Sequence, residues 1–343
     1  MGGGGFRAVT RQYRCGSAWR LAAILTSRIR RRCSLERTDR VSEHLSRCGV
    51  AAFLLVALFL SGCVNHYLVH SRRPPPGAQR WSEVVTIETL RMHLEWVRPA
   101  KLGPLPVVIV HPEAGSRAED MRGILNDLAA AGYLAVAADY QRRKGNRWRQ
   151  SLFPWQNPDD PKRVMDRVRA HPDVNRERIG LLGFSQGGVF SLLIAAYSGR
   201  AAAVVAYYPV TDFERWLEAP GAELGRRLVF RIIRIGFRRA SGAKSDKELQ
   251  ALLRRASPFW QATSIRAPVL LVHGDRDGSA DIDESRRLAR RLAELNRPVE
   301  LLVVRDGGHL FNFRDRTQAE PAWAATLRFL DRHLMPEKIF AFR

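Results

Sequence analysis

The chain has 343 residues, 45% of them hydrophobic, which is enough to bury a sizeable core and excludes a disordered polymer. Its formal charge is +22, almost all from arginine, a balance that suits anionic surfaces or reflects a general arginine bias. All four cysteines, Cys15, Cys33, Cys48 and Cys63, lie in the first fifth of the chain, so the rest needs no disulfide and offers no cysteine metal site.

Residues 1–62 carry 11 arginines against Glu36, Asp39 and Glu43. Gly49–Leu60 is a 12-residue apolar run after Arg47. That is short for a membrane span, which needs about 20 residues, and suits a signal-peptide core. It ends in Leu60-Ser61-Gly62-Cys63, which resembles the lipobox of bacterial lipoproteins. The resemblance implies lipid attachment at Cys63, cleavage before it, and a mature chain Cys63–Arg343 held at a membrane in the bacterial cell envelope. The competing reading is an uncleaved anchor from Gly49 through Val69. The basic stretch before the run is longer than a signal needs, so translation is expected to start near Val41; the alternative is a basic cytoplasmic tail. Residues 63–81, with Arg72-Arg73-Pro74-Pro75-Pro76-Gly77, read as an extended proline tether.

From Ser82 onward strands and helices alternate. Glu83–Thr89 and Arg91–Val97 alternate apolar and polar residues, as an antiparallel pair does. Five continuous apolar runs follow, as for strands buried on both faces: Pro106–Val110, Leu134–Ala138, Arg178–Gly183, Ala202–Tyr207 and Val269–His273; Val299–Val304 makes a sixth. Helices are expected over Ala118–Ala131, Asp160–Ala170, Gly187–Tyr197, Asp283–Leu295 and Ala319–Leu334. The alternation predicts an α/β fold: a mostly parallel sheet with helices on both faces. Residues 211–260 interrupt the rhythm. Arg227, Arg231, Arg234 and Arg238 follow helical spacing among apolar residues, which suggests a basic amphipathic helix. It reads as a cap insertion over a site that also touches anionic membrane, or as a helix packed on the body with solvated arginines. Trp148–Trp155, with Arg149 and Phe153, line a pocket mouth or pack a long loop.

Gly183-Phe184-Ser185-Gln186-Gly187 matches G-x-S-x-G between an apolar strand and a helix. A serine on so sharp a turn needs neighbours without bulk two residues away, and the helix start offers a positive dipole end to developing negative charge. Two further segments follow later strands: His273-Gly274-Asp275-Arg276-Asp277, and Asp306-Gly307-Gly308-His309. Together they resemble the α/β-hydrolase superfamily, specifically dienelactone hydrolase-like and prolyl oligopeptidase-like serine hydrolases, over roughly residues 100–335. The resemblance implies Ser185 as nucleophile, His309 as general base and Asp277 as the acid that orients it. Asp275 and Asp212 are rivals for the acid. His273 is expected to shape its turn and His333 to lie on the surface. An oxyanion hole is implied at the backbone N–H groups of Gln186 and Glu113, the latter in His111-Pro112-Glu113-Ala114-Gly115. The Glu113 side chain faces the pocket or solvent.

The chain departs from the family in having serine where dienelactone hydrolase uses cysteine, and Gly278-Ser279-Ala280 where a Val-Pro is familiar. It has no room for the β-propeller of prolyl oligopeptidases. No phosphate-cradling loop, HExxH or Cys/His metal spacing appears, so no cofactor or metal is expected. The expected function is hydrolysis of small-molecule carboxylic esters through an acyl-enzyme, with a membrane as the partner through lipid, no nucleic acid and no obligate protein partner. The alternatives are a peptidase or acyltransferase with the same triad, or a non-catalytic binding lipoprotein.

Overall fold

The computed structural model describes residues 69–87, 90–142, 160–218 and 224–335. The leader, Cys63 and Trp148–Trp155 lie outside the described residues. No helix among the described residues is long and apolar enough to cross a membrane.

One eight-stranded sheet organises the chain: β1 (Gln79–Ile87), β2 (Leu90–Arg98), β3 (Leu105–His111), β4 (Leu134–Arg142), β5 (Val174–Phe184), β6 (Ala203–Tyr207), β7 (Val269–Gly274) and β8 (Val299–Val304). The spatial order is β1-β2-β4-β3-β5-β6-β7-β8. β1 and β2 run antiparallel to each other, β2 runs antiparallel to β4, and every other pairing is parallel. Composition explains the positions. β3 (LPVVIVH), β6 and β7 are buried at every residue, as central parallel strands are. β1 alternates half-buried with exposed residues such as Arg80, Ser82 and Val84, and sits at an edge.

The helices are α1 (Arg122–Ala130), α2 (Asp160–Arg169), α3 (Gln186–Ser198), α4 (Phe213–Glu218), α5 (Leu224–Ser241), α6 (Asp246–Arg255), α7 (Asp283–Glu294), α8 (Phe311–Arg314) and α9 (Arg316–Leu334). One face of the sheet packs on α2, α3 and α7 through Val164, Leu192, Ile194, Leu288 and Leu292. The other packs on α1 and α9 through Ile124, Leu128, Phe329 and Leu330. The helix expected over Ala118–Ala131 divides into a 3-10 turn, Ala118–Met121, and α1. The break follows the Asp139 carboxylate, which accepts from the Ala118 N–H (3.0 Å) and pins that turn to β4. β5 starts four residues before the expected Arg178, at Val174, with an irregular register against β3. α9 starts at Arg316 rather than Ala319. Asp315 caps it by accepting from the Thr317 N–H, and Pro321 stands inside the helix beyond its first turn, where it forgoes one backbone hydrogen bond.

Between β6 and β7 stand α4, α5, α6 and a 3-10 segment, Pro258–Ser264. α5 buries Phe230, Ile233 and Phe237 and exposes Arg231, Arg238 and Arg239. Its apolar stripe meets α4, with Phe230 edge-on to Trp216 (4.9 Å) and Phe237 beside Phe213 (5.8 Å).

Candidate active site

Every parallel strand ends on the same edge of the sheet, and the three residues singled out above follow β5, β7 and β8 there. Ser185 joins β5 to α3 with φ 51° and ψ −116°, a backbone conformation that side-chain-bearing residues rarely adopt. Its N–H donates to Tyr207 O of β6 (2.9 Å), and its carbonyl accepts from Gly188 and Val189 in the first turn of α3 (2.9 and 3.2 Å). Both flanking glycines are required. A Cβ on Gly183 would sit 2.0 Å from Gly187 O, and one on Gly187 would sit 2.1 Å from His111 O at the end of β3. The elbow is therefore clamped between its own helix and the neighbouring strand.

His309 Nε2 lies 3.1 Å from Ser185 Oγ, and its Nδ1 lies 2.7 Å from Asp277 Oδ2. Asp277 Oδ1 accepts the N–H groups of Ser279 (2.8 Å) and Ala280 (2.9 Å). Burial alone would raise the Asp277 carboxyl, but hydrogen bonds from His273 and His309 overcome it and hold the group well below the usual carboxylate range. The loops bearing Asp277 and His309 are locked backbone to backbone. Arg276 N donates to Gly307 O (2.9 Å), Asp275 N to Val304 O (3.1 Å), and a Cβ on Gly274 would reach Gly307 O at 2.1 Å.

The rivals lie elsewhere. Asp275 is exposed. The Asp212 carboxylate is buried against the Arg287 guanidinium (3.2 Å), and its backbone N–H donates to Glu284 (2.8 Å). His273 is fully buried, with Nδ1 at Ser285 Oγ (2.7 Å) and Nε2 at Ala280 O (2.9 Å), and so braces the acid loop from below. His333 is half-buried on α9 against Phe329 (4.7 Å). Gln186 is the first residue of α3, where backbone N–H groups have no partner within the helix. Glu113 is buried and turned inward, its Oε1 accepting from Ser116 Oγ (2.7 Å). His111, fully buried, meets Ser191 Oγ through Nδ1 (2.8 Å), and burial lowers its pKa to about 3.

Three contacts had no sequence signal beyond, for the first two, a Tyr-Tyr-Pro at a strand end. Tyr208, at φ 38°, lays its ring against His309 (4.7 Å between centroids). Its hydroxyl donates to Asn312 Oδ1 (2.6 Å). Burial pushes that hydroxyl well above its ordinary pKa, with the nearby carboxylates of Glu113 and Asp277 adding to the shift, so it remains a donor. From the insertion, Trp216 Nε1 donates to Ser279 O (2.8 Å), which ties α4 to the acid loop.

An eight-stranded, mostly parallel sheet with a serine elbow after the central strand defines an α/β-hydrolase. Residues 95–334 match the Dienelactone hydrolase family, and the chain belongs to it. It is 28% identical over 190 residues to "Uncharacterized peptidase YtmA" of Bacillus subtilis, covering 55% of this chain and 69% of that protein. It is 26% identical over 247 residues to "Esterase LipC" of Mycobacterium tuberculosis, covering 66% of this chain and 58% of that one. Acetyl xylan esterase 1 from Thermoanaerobacterium sp. shares the fold with a TM-score of 0.54 at 21% identity, over 76% of this chain and 86% of its own. The chain is thus a hydrolase of the α/β-hydrolase type.

Proposed function

We propose that the protein hydrolyses water-soluble carboxylic esters through an acyl-enzyme on Ser185. The observation that carries this reading is the continuous hydrogen-bonded line Ser185–His309–Asp277, at 3.1 and 2.7 Å, on the strained elbow. The neutral His309 imidazole takes the Ser185 proton through Nε2 as Oγ attacks the ester carbonyl. The negative charge on the carbonyl oxygen is met by the N–H groups of Gln186 and Glu113 at the start of α3 and the end of β3. The imidazolium, held by the ionised Asp277, gives its proton to the leaving alkoxide, and the alcohol departs. Water then enters, His309 takes one of its protons, hydroxide attacks the acyl carbon, and Ser185 Oγ leaves with the proton that His309 returns. The contact of Trp216 on α4 with Ser279 O supports reading the insertion as a cap beside the acid loop.

The test is a fluorophosphonate probe with mapping of the labelled peptide, followed by a panel of p-nitrophenyl esters beside p-nitroanilide peptides. Label is expected on Ser185, and on no residue in Ser185→Ala or His309→Ala. Loss of turnover should be at least about 10³-fold. Folded protein without label at Ser185 would overturn the reading. Faster turnover of the anilides would transfer it to a peptidase, the class in which the YtmA name places that relative.

The same proposal holds the mature chain at the bacterial cell envelope by lipid on Cys63. Metabolically supplied palmitate should label the wild-type chain and not Cys63→Ser; equal labelling of both would exclude that site.

A further inference from the structure

We propose that the edge of the sheet opposite the triad is a docking surface for anionic lipid, so that the active site faces away from the bilayer. The inference builds on the reading of Cys63 as a lipid attachment point, yet it is testable with that cysteine removed.

Two independent observations converge on this edge. The first is the path of the chain. His70 Nδ1 binds Asp127 Oδ2 (2.8 Å) and its ring stands edge-on to Trp323 (4.7 Å). The N–H of Ser71 donates to Asp127 Oδ1 (3.0 Å), and Asn126 donates to Ser71 O (2.7 Å). Asp127 lies in the last turn of α1, so this clamp holds the entering chain toward the end of the sheet where the parallel strands begin. The chain then follows that end into Gln79, which pairs with Arg98, and Gly77 packs directly on Ala100. Cys63 precedes His70 by seven residues, about 25 Å at full extension. A bilayer anchored there is within reach of this edge of the molecule.

The second observation is the charge. The segments at this end of the sheet are 70–78, 98–104, 170–178, 198–202, 265–268 and 295–298. Together they carry nine arginines and lysines against two acids, Asp173 and Glu177. Arg72, Arg73, Lys101, Arg176 and Arg266 are exposed. Among the described residues, the short loops at the triad's end (112–117, 208–212, 275–282 and 305–310) reverse the balance, with six acids and three arginines, although the insertion that follows β6 is itself basic through α5, where Arg231, Arg238 and Arg239 are exposed. Between Lys101 and Gly103 stands Leu102, 92% exposed, two residues from the contact with the tether. An exposed apolar side chain next to Lys101, on a basic edge within reach of a lipid attachment point, matches what a single weak anchor needs for stable residence: a second, electrostatic signal. Docked this way, the opening above Ser185 meets water, which fits a soluble ester rather than a bilayer acyl chain.

The experiment uses the full chain with its four cysteines changed to serine and an environment-sensitive fluorophore at one position at a time: Leu102→Cys on the base, Arg305→Cys beside the triad, Ile235→Cys on α5. Vesicles contain phosphatidylglycerol or phosphatidylcholine alone. Ser185 labelling by fluorophosphonate on the same samples reports the catalytic reading separately. A blue shift at position 102 with phosphatidylglycerol vesicles only, weakened by salt, is expected. Turnover of a soluble ester should be unchanged in the bound state. Combining Arg72→Glu, Arg73→Glu and Lys101→Glu should lower the partition reported at 102 about 100-fold, since each basic residue near an anionic surface contributes about five-fold. No shift at 102, or a shift at 305 or 235 in its place, would overturn the proposal. So would a shift at 102 driven equally by phosphatidylcholine or by duplex DNA alone.

Discussion

Asp277 and Asp212 are both buried aspartates near the triad's end of the sheet, and their surroundings give them different work. Asp277 receives His309 and two backbone N–H groups, whereas Asp212 receives the Arg287 guanidinium. Asp277→Asn should therefore lower kcat on the order of 10³ to 10⁴-fold with little change in KM, because an amide can hold His309 in the wrong tautomer. Asp212→Asn should leave kcat within a few-fold and cost about 1–3 kcal/mol in urea unfolding, because Arg287 loses its partner. The opposite pattern, with Asp212 controlling kcat, would move the acid to β6. In the sequence only the family resemblance favoured Asp277 over Asp275 and Asp212, since all three follow a strand. Side-chain direction decided it, and likewise turned Glu113 inward.

At the scale of elements, the elbow depends on three pieces of backbone meeting without side chains between them. The end of β3 presents His111 O to Gly187, and α3 presents Gly187 O to Gly183. Gly187→Ala or Gly183→Ala forces backbone apart, not the tip of a flexible side chain. Each should lower stability by about 3 kcal/mol or more, or prevent folding. Gly278→Ala, with nothing within 4 Å of the new Cβ, is the control and should stay within about 0.5 kcal/mol. Equal tolerance at all three positions would mean the clamp is looser than these distances imply. The G-x-S-x-G spacing announced the need for small residues; it did not disclose that β3, some seventy residues earlier, is the wall for Gly187.

For the molecule as a whole, two buried groups couple stability to pH in the same direction. His111 is held neutral by burial, with its pKa near 3 in the folded chain against about 6.5 unfolded. Above about pH 6.5 both states are neutral there. As pH falls from 6.5 to 3 the unfolded chain takes up a proton that the folded chain refuses, so stability drops, by at most about 1.4 kcal/mol per pH unit. Asp277 is depressed in the folded state, so its contribution is complete above the ordinary carboxylate range and is lost as pH falls below it. Urea midpoints followed across this range should decline on acidification, and His111→Gln should flatten the part between pH 6.5 and 3. An unchanged slope in that variant would show that His111 titrates normally. The contrast among the described residues between short acidic loops at the triad's rim and basic loops at the base belongs to this scale too. It emerges only when loops far apart in sequence are sorted by the end of the sheet they occupy.

The sequence by itself determined the alternation of buried strands and helices, the parallel interior, and the order of a serine, an acid and a histidine after successive strands. These follow from local patterns: runs of apolar residues read their own burial, and a sharp turn demands glycine at fixed offsets. Only the tertiary structure decided which acid reaches the histidine, how Tyr208 and Asn312 brace it, and that β4 lies between β2 and β3. It also decided that His70 fastens the incoming chain to α1. The physical reason is common to all of these. Each depends on the direction of a side chain or the neighbour of a strand across tens of residues, and such contacts are fixed by packing in three dimensions, which leaves no periodicity in the chain.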